Sequence, residues 1–364
     1  MKILFIAAHL RRGGPVDVIF NLCSKLLYQK DIEVELLTLR KEGSNSKIEE
    51  FSKIGIPVHQ LNFSYLECEV LTLKVTRRIQ SIINSLHVDI IHCHGYHPVV
   101  ACARITNVFK CSTLHNRVTE DFANAFGKIW GSYMIIRYLH CLKKFHKNIA
   151  VSVSGAEYYE KMIPHVTYVN NGIDISKFYP LALNEQEEQK KKLYLSTNKL
   201  ILVYSGRVEK EKRVLELVKW FVNQERHFDF ILLILGDGSQ LEECKKIADK
   251  NVVCTGRISN VSNYLQCADF YISNSKSEGM SLAACEAIAC GLFPILSNIP
   301  SHQDVARNIK GILFESLEDV SLDQLYKKGI EERNMFHSYI DRNFSISVMV
   351  DAYCQVYKQF SNRI

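Results

Sequence analysis

Residues 199–238 read KLILVYSGRVEKEKRVLELVKWFVNQERHFDFILLILGDG. The apolar run Lys199–Ser205 is followed by a charged turn, a segment with helical spacing at Arg213–Gln224, and a second apolar run at Phe228–Leu235. A short apolar strand, an amphipathic helix and another apolar strand form a βαβ unit, in which the two strands are parallel. This stretch therefore predicts a parallel sheet.

The same alternation continues on both sides of this unit. Helix-like segments, His97–Val108 among them, separate further strand-like runs. The pattern predicts an α/β protein of two doubly wound, Rossmann-like domains at residues 1–173 and 174–344, followed by a C-terminal helix within 345–364. In such sheets, ligands bind beyond the carboxyl ends of the strands, here in the cleft between the domains. The runs are Ile3–Ala7, Glu33–Leu39, Val58–Leu61, Ile90–His94, Cys111–His115, Val252–Thr255, Phe270–Ser273 and Phe293–Leu296.

The composition is that of a globular protein. The 364 residues are 47% hydrophobic and 23% charged, with 7 prolines and 17 glycines, which excludes a disordered or collagen-like chain. No run of 18 apolar residues occurs, so we expect no membrane-spanning helix. The 12 cysteines are scattered without a CxxC pair, which favours a reducing cytoplasm over a disulfide framework. The formal charge of +6 is uneven, because residues 1–173 carry +7 and residues 174–364 carry −1.

The turn after the first quoted strand carries two candidate ligand-binding cations. Arg207 lies at the end of the strand, and Lys212 follows five residues later, near the start of the helix. A guanidinium fork and a lysine point charge beside the amides of a helix start suit a diphosphate. A solvated run of Lys and Glu is the alternative interpretation.

Residues 277–286 read SEGMSLAACE and contain two glutamates. Glu278 follows a strand, whereas Glu286 lies two turns further on, inside an otherwise apolar helix. A buried carboxylate is unfavourable without a partner, so we expect Glu286 to meet a cation or ligand hydroxyls. The amides of Gly279 to Leu282 lie at a helix N-terminus, which suits phosphate. Structural capping and ligand binding remain equally open from these residues alone.

Two glycines in the first half form a further candidate site. Gly13 and Gly14 follow the first strand and precede its helix, where glycine lets a ligand approach the backbone closely. The pattern is not GxGxxG, so the dinucleotide fingerprint is absent. A tight turn between strand and helix is the alternative.

Histidines follow two strands of the first half. His115, at a strand end, is a candidate for hydrogen bonding or proton transfer, and a structural histidine is the alternative. His92, His94 and His97 have poor spacing for a metal site, because the first two lie within a strand and His97 lies beyond it. We therefore expect no metal.

Together these segments resemble glycosyltransferase family four, whose members are retaining enzymes with the GT-B fold of two Rossmann-like domains facing across a cleft. Each motif is weak alone, but their joint order and spacing are specific, and they run through most of the chain. In order, they are the Gly13–Gly14 loop, Asp89–His94, Asn171–Asp174 with Phe178, Gly206–Arg207 with Lys212, Gly236–Gly238, Gly256, and the pair Glu278 and Glu286.

The resemblance implies roles for these residues. Arg207 and Lys212 would hold the diphosphate of a nucleotide-sugar and stabilise the leaving group. Glu278 would bind hydroxyls of the transferred sugar, and His115 would point at that sugar from the first domain. These four are the catalytic candidates. The donor-binding candidates are Gly13 and Gly14 at the phosphate and acceptor side, Gly236, Asp237 and Arg257 at the base, Gly279, Met280, Ser281 and Leu282 at the phosphate and sugar, and Glu286 at the ribose.

The implied activity is that of a metal-independent, retaining hexosyltransferase. It would move a sugar from a nucleotide-diphosphate sugar, expected to be UDP-linked, to a glycan acceptor such as a lipid-linked intermediate of a bacterial O-antigen or capsule. No cofactor other than this substrate is implied, and helix 345–364 would cross back to the first domain. The alternatives are a sugar-nucleotide epimerase of the same fold and a non-catalytic partner of another transferase.

A basic, aromatic stretch distinguishes the first half. Phe126–Lys147 mixes tryptophan, tyrosine and isoleucine with five lysines and arginines, a composition that suits an anionic membrane surface. An ordinary domain helix with a solvated face is the alternative. No nucleic-acid motif accompanies the charge, so we expect no nucleic-acid partner. The expected location is cytoplasmic, peripheral to the inner face of the plasma membrane.

Overall fold

The computed structural model describes residues 1–119, 122, 127–328 and 333–361. They form two compact units, one comprising Met1–Gly172 together with the C-terminal segment from Ile346, and the other comprising Ile173–Ser345. Each unit is built on a parallel β-sheet with helices between successive strands. The predicted fold class, two Rossmann-like α/β domains, is therefore confirmed.

The first unit contains a sheet of seven parallel strands among its described residues. The strands are β1 (Lys2–Ala7), β2 (Glu33–Arg40), β3 (Val58–Phe63), β4 (Ile90–His94), β5 (Phe109–Leu114), β6 (Lys147–Ala150) and β7 (Val166–Tyr168). Their order is β3-β2-β1-β4-β5-β6-β7. The order changes direction between β1 and β4, and the loops after the strands at such a switch point form the usual ligand site of an α/β sheet.

The described helices of residues 1–172 pack against this sheet. They are α1 (Gly14–Leu26), α2 (Ile48–Lys53), α3 (Tyr65–Val70), α4 (Thr72–Leu86), α5 (Tyr96–Cys102), α6 (Lys128–Leu142) and α7 (Val153–Glu160). Pro15 lies in the first turn of α1, where a missing amide hydrogen leaves no bond unmade. Ser64 and Glu67 cap α3 with reciprocal hydrogen bonds.

Helix α5 is shorter than the sequence predicted. Its periodicity continues to Val108, yet the helix ends at Cys102. The buried ammonium of Lys110 donates to the carbonyl oxygens of Ala103 (3.1 Å) and Ile105 (2.6 Å). A buried cation that takes carbonyl groups just past a helix ends the helix there, because those oxygens no longer need amide partners.

The second unit contains a sheet of six parallel strands within its described residues. They are β8 (Leu200–Ser205), β9 (Phe230–Leu235), β10 (Val252–Gly256), β11 (Phe270–Ser273), β12 (Phe293–Ser297) and β13 (Ile312–Phe314). Their order is β10-β9-β8-β11-β12-β13. Every residue of β9 is buried, as expected for a central strand covered by helices on both faces.

The remaining helices complete both units. Those of the second unit are α8 (Leu183–Lys192), α9 (Val214–Val222), α10 (Leu241–Ile247), α11 (Val261–Cys267), α12 (Leu282–Ala289), α13 (Pro300–Ala306), α14 (Leu322–Lys328) and α15 (Arg333–Phe344). Helix α16 (Ile346–Ser361) belongs to the first unit and packs against α1. Among the described helices, none has both the length and the apolar character needed to cross a bilayer.

Candidate active site

The donor-binding candidates of the second unit lie at the carboxyl ends of four strands. Arg207 and Lys212 follow β8, Gly236 and Asp237 follow β9, Arg257 follows β10, and Glu278 follows β11. The order β10-β9-β8-β11 makes these strands consecutive neighbours. Residues from four separate parts of the sequence therefore meet at one edge of one sheet.

Close backbone contacts hold the loops after β8 and β9 together. A Cβ atom at Gly236 would lie 1.8 Å from the carbonyl oxygen of Gly206, and one at Gly238 would lie 2.4 Å from that of Val208. The amide of Val208 donates to the carbonyl oxygen of Asp237 at 3.0 Å. Glycine is required at these two positions because no side chain fits between the strands' loops.

An ion pair joins the loops after β8 and β11. The Lys212 Nζ lies 2.5 Å from Glu278 Oε1, and both side chains are largely buried. The hydroxyl of Ser275 donates to the same carboxylate oxygen at 2.9 Å, and the amide of Lys276 donates to the carbonyl oxygen of Glu211 at 2.9 Å. The pair thus has a fixed position at the sheet edge.

Arg207 occupies a more exposed position than Lys212. Its side chain is 69% exposed, and its Nη2 lies 3.0 Å from Glu211 Oε1. An exposed ion pair of this kind contributes little to stability, so the guanidinium can exchange its partner for a ligand anion. The turn ends at Arg213, whose φ of 51° is left-handed, a strained conformation for a residue other than glycine.

The segment before α12 agrees only in part with the sequence interpretation. Helix α12 begins at Leu282, with Ser281 as its N-cap. The Leu282 amide already donates to the carbonyl oxygen of Met280 at 3.1 Å, so this amide is not open to a ligand. Glu286 is partly exposed, not buried as its apolar neighbours suggested, because one side of α12 reaches the surface.

Two donor-side candidates lie in the exposed loops after β9 and β10. The Asp237 and Arg257 side chains are exposed, and Asp237 Oδ1 accepts a hydrogen bond from the amide of Gly238 at 2.8 Å. An antiparallel bridge between Gly236 and Gly256 links the two loops. Asp237 and Arg257 therefore border the same edge as the Lys212–Glu278 pair.

The first unit has a cavity of about 270 Å³ at the ends of β1, β4 and β5. Its walls are mainly apolar and aromatic, and besides the tyrosine hydroxyls the polar groups among them are His9, His94, Thr113, His115 and Asn116. Of the first loop, Pro15 and Val16 line the cavity, whereas Gly13 and Gly14 are exposed outside it. The first loop therefore contributes Pro15 and Val16 to the cavity wall, and not the two glycines.

The histidines near this cavity are electrically neutral at physiological pH. His94 Nδ1 lies 3.0 Å from His115 Nε2. Burial lowers the pKa of His115 to about 4, and burial, aided by the His115 ring, lowers that of His92 to about 3. Burial likewise lowers the pKa of His94. These rings act as hydrogen-bond donors and acceptors instead of as cations.

The side chains of His92, His94 and His97 do not point to one common site. His92 bonds to the hydroxyls of Tyr357 (2.7 Å) and Thr113 (2.8 Å), whereas His97 Nε2 lies 3.2 Å from Glu69 Oε1. No group of three potential metal-binding side chains occurs within the part of the chain that the structure describes. The histidines serve the interior of the first unit.

Both units match known protein families. Residues 12–177 match the family described as Glycosyltransferase Family 4, and residues 185–343 match Glycosyl transferases group 1. The chain belongs to glycosyltransferase family four. The family predicted from the sequence motifs is confirmed, and with it the general activity: the protein is a glycosyltransferase.

Curated relatives of this glycosyltransferase include two from Escherichia coli. UDP-Gal:alpha-D-GlcNAc-diphosphoundecaprenol alpha-1,3-galactosyltransferase is 30% identical over 165 residues, which cover 43% of this chain and 42% of the relative. The match therefore spans less than half of that protein. The O-antigen biosynthesis glycosyltransferase WclY is 22% identical along the whole of both chains.

Solved structures share the fold along the whole glycosyltransferase. A glycosyltransferase from Rickettsia africae has a TM-score of 0.79 and 19% identity, and covers 99% of this chain and 98% of its own. Anabaena HepE in complex with UDP has a TM-score of 0.79 and 14% identity, and covers 99% of this chain and 100% of its own. At these identities the likeness establishes the fold alone.

Sequence reasoning missed a set of residues beside Glu278. Ser275 follows β11, Ser297 is the last residue of β12, and His302 lies on the helix after β12. Their hydrogen bonds lead to the Glu278 carboxylate. The signal was a pair of polar segments directly after two predicted strands, at the same sheet edge as the other candidates. This signal was too weak to indicate a functional role, because neither segment contains a charged residue next to its strand.

Proposed function

We propose that this glycosyltransferase moves a hexose from a UDP-linked donor to a polyprenyl-diphosphate-linked glycan of a bacterial surface polysaccharide, with retention of the anomeric configuration and without a metal. The observation that carries the proposal is the Lys212–Glu278 pair at the carboxyl ends of neighbouring strands, 2.5 Å apart, with Arg207 on the same loop as Lys212. It combines a cation for a diphosphate with a carboxylate for sugar hydroxyls, which are the two halves of a nucleotide-sugar.

The arrangement accounts for the chemistry of donor cleavage. Breaking the bond between the anomeric carbon and the diphosphate leaves negative charge on the phosphate oxygens. Lys212 and Arg207 stabilise this charge when they exchange their carboxylate partners, Glu278 and Glu211, for phosphate. Glu278 then accepts hydrogen bonds from the sugar. The acceptor oxygen attacks from the face that the diphosphate leaves, and its proton passes to the departing phosphate oxygen. This route retains configuration without a carboxylate nucleophile.

Relatives support the class of donor and acceptor. The E. coli relative is named for UDP-Gal and a diphosphoundecaprenol acceptor, and a Xanthomonas oryzae relative, 22% identical over 82% of this chain, is named for GDP-mannose and a diphosphopolyprenol acceptor. The two names share a polyprenyl diphosphate and differ in the base. The relative named for UDP-Gal is 30% identical over its matched segment and the one named for GDP-mannose is 22% identical, so we take uridine as the first choice for this chain.

The cavity of the first unit suits the acceptor sugar. It is about 270 Å³ in volume and presents neutral His94 and His115 among apolar walls. Neutral imidazoles bind hydroxyls without attracting the diphosphate of the donor. We assign the cavity to the sugar that receives the new bond. This proposal moves His115 to the acceptor sugar, whereas the family resemblance implied that it points at the transferred sugar.

A transfer assay with purified protein tests the proposal. The donors are UDP-galactose, UDP-glucose and GDP-mannose, with and without a synthetic GlcNAc-diphosphate-lipid. The expected result is release of UDP only when the lipid is present, with an α-linked product by NMR. Glu278→Gln should abolish transfer, and Glu187→Gln, an exposed position on α8, is the matched control. Interconversion of donor sugars without an acceptor would support an epimerase, and no turnover by any donor would support a non-catalytic partner.

A membrane surface on the first unit is the second part of the proposal. On α6, Ile129 and Ile136 are 90% and 70% exposed, and Trp130 and Tyr133 are half exposed beside them. Positions 129, 133 and 136 share one helix face. Exposed Lys143 and Lys144 follow the helix. Apolar side chains next to lysines fit the headgroup region of an anionic bilayer.

The surface differs from the sequence interpretation in its members. Met134 is buried in the core, and Arg137 pairs with Glu69 and donates to Thr72, so neither faces a membrane. Phe126 lies outside the described residues. Arg137 joins α6 to α3 and α4, which add exposed apolar residues of their own: Leu66, Val70, Leu71 and Leu73.

Vesicle sedimentation tests the membrane surface. Wild-type protein is expected to bind vesicles that contain phosphatidylglycerol and not vesicles of phosphatidylcholine alone. The double variant Ile129→Ser with Ile136→Ser should lose binding, whereas Leu183→Ser with Tyr194→Ser, which removes equally exposed side chains from the second unit, should retain it. Equal binding by both double variants would contradict the assignment.

A further inference from the structure

His302 lies beside the predicted sugar-binding carboxylate but belongs to none of the predicted motifs. It is on α13, just after β12, and its side chain is completely buried. Its Nδ1 lies 2.8 Å from the carbonyl oxygen of Ser297. A carbonyl oxygen only accepts hydrogen bonds, so Nδ1 carries the proton and Nε2 carries a lone pair.

A chain of hydrogen bonds connects His302 to Glu278. The imidazole holds Ser297, whose hydroxyl donates to the carbonyl oxygen of Ser275 at 2.7 Å. The hydroxyl of Ser275 donates in turn to Glu278 Oε1 at 2.9 Å. Three bonds therefore fix the loop after β11 against the end of β12 and against α13, and the last of them orients the carboxylate.

The electrostatic surroundings of His302 agree with this geometry. Burial lowers the pKa of the imidazole, while the Glu278 charge and the bond to Ser297 oppose that shift and Lys212 reinforces it. Glu278 and Lys212 are thus close enough to act on the ring. The ring is neutral, which keeps the proton on Nδ1 where the chain of bonds requires it.

The second ring nitrogen indicates that packing alone does not explain a histidine at this position. His302 Nε2 is buried and has no hydrogen-bond partner within the described part of the chain. A buried group without a partner is unfavourable, so a histidine retained here solely for packing would be replaced without loss by an apolar residue. The bond from Nδ1 is the feature that an apolar residue lacks.

We propose that His302 is a positioning residue for the donor sugar: through Ser297 and Ser275 it holds the Glu278 carboxylate in the orientation that accepts the sugar hydroxyls. The proposal rests on the proposed role of Glu278 in nucleotide-sugar transfer. It assigns His302 no contact with the diphosphate. Loss of the imidazole therefore weakens recognition of the sugar and leaves recognition of UDP unchanged.

Binding of two ligands, UDP and UDP-sugar, separates this role from general stability. His302→Leu is expected to lower affinity for UDP-sugar by about tenfold, the size expected for a hydrogen bond to a charged group, with UDP affinity unchanged. His302→Asn places an amide donor near the position of Nδ1 and removes the Nε2 lone pair, so it should restore most of the affinity. His337→Leu is the matched control, since His337 Nδ1, like that of His302, lies near a backbone carbonyl oxygen, that of Ala289 at 2.9 Å.

A double variant completes the test. In a Glu278→Gln background, His302→Leu should cause little further loss, because the imidazole acts through that carboxylate. Equal weakening of UDP and UDP-sugar, failure of His302→Asn to restore binding, or full additivity with Glu278→Gln would each overturn the role. Failure of the proposed function itself shows in a different arm, as a wild-type protein that binds neither UDP nor any UDP-sugar.

Discussion

At the carboxyl edge of the first sheet, the polar side chains that line the cavity include hydroxyls, an asparagine and histidines, and burial keeps the His94 and His115 imidazoles neutral. At the same edge of the second sheet they are lysine, arginine and glutamate, joined in ion pairs. One Rossmann-like architecture thus carries two kinds of site. The difference teaches that net charge does not locate the working charges, because the ion-paired edge belongs to the half whose formal charge is −1 and the neutral edge to the half with +7.

The largest expected effect comes from removing the cation of the ion-paired edge. Lys212→Ala should lower kcat/KM by about 100-fold or more, because the departing diphosphate loses a placed positive charge. Steady-state transfer kinetics measure the change. Lys210→Ala, an exposed lysine in the same turn, is the control and should stay near wild type. Unchanged turnover in Lys212→Ala would show that the ion-paired edge takes no part in the reaction.

The next effect concerns the backbone contact that supports this edge. Gly236→Ala would place a methyl group 1.8 Å from the carbonyl oxygen of Gly206, so the two loops must separate. We expect a loss of about 2 kcal/mol in the free energy of unfolding, measured by denaturant titration, and weaker UDP binding. Gly256→Ala has a left-handed φ of 67° but no close atom, so it isolates backbone strain at about 1 kcal/mol. Equal effects of the two variants would contradict the close-contact explanation.

Acid should destabilise the first unit more than the second, because the first unit contains more buried imidazoles. The pKa values of His9, His92, His94 and His115 are lowered in the first unit by burial. Unfolded imidazoles bind protons below about pH 6.5 and the folded ones do not, so stability is constant above that pH and falls as pH drops toward 4. In the second unit, the lowered pKa of His302 acts in the same direction, whereas the raised pKa of Asp269 acts in the opposite one.

Each unit has its own tryptophan to report this loss. Trp220→Phe leaves Trp130 in the first unit, and Trp130→Phe leaves Trp220 in the second. Between pH 7 and 5, the fluorescence-detected unfolding midpoint should fall further for the first unit. In the first unit, His94→Asn should reduce the pH dependence of the free energy of unfolding by about 1 kcal/mol per pH unit, which is the contribution of one imidazole. Parallel curves for the two units would show that the neutral edge is not set by buried histidines.

The smallest effect tests the hydroxyl network under the neutral edge. Tyr353 on α16 shares a 3.0 Å hydrogen bond with Thr113, whose hydroxyl also lies 2.8 Å from His92. Tyr353→Phe should lower the free energy of unfolding by about 1 kcal/mol, the usual value of one such bond. Tyr326→Phe alters a half-exposed tyrosine of the second unit and should be neutral in the same titration. A neutral Tyr353→Phe would mean that α16 is held by packing alone.

Local patterns predicted the fold well. Residues 199–238 indicated a βαβ unit, and β8, α9 and β9 lie there, because an apolar run of six residues flanked by glycine has few other stable conformations in a large domain. The end of α5 was not predictable in the same way. It depends on Lys110, which reaches the carbonyl groups beyond Cys102 only once β5 is in place.

The predicted site residues divide similarly. Arg207, Lys212 and Glu278 were recognisable because they lie in the loops that follow two predicted strands, and parallel strands end at one edge. The partial exposure of Glu286 and the engaged amide of Leu282 were not recognisable, because both depend on how α12 sits against the sheet. The link from His302 to Glu278 could not be predicted from the sequence either, because it depends on contacts between β11 and β12.

The sequence by itself determined the α/β class, the family and the strand ends at which chemistry occurs, since these follow from short-range periodicity and from motif order. Only the tertiary structure decided which strand ends are neighbours. Glu278 pairs with Lys212, 66 positions earlier, because β11 lies beside β8 in the sheet. It also decided which groups are charged, because burial, which suppresses the ionisation of the histidines, depends on residues from every strand around them.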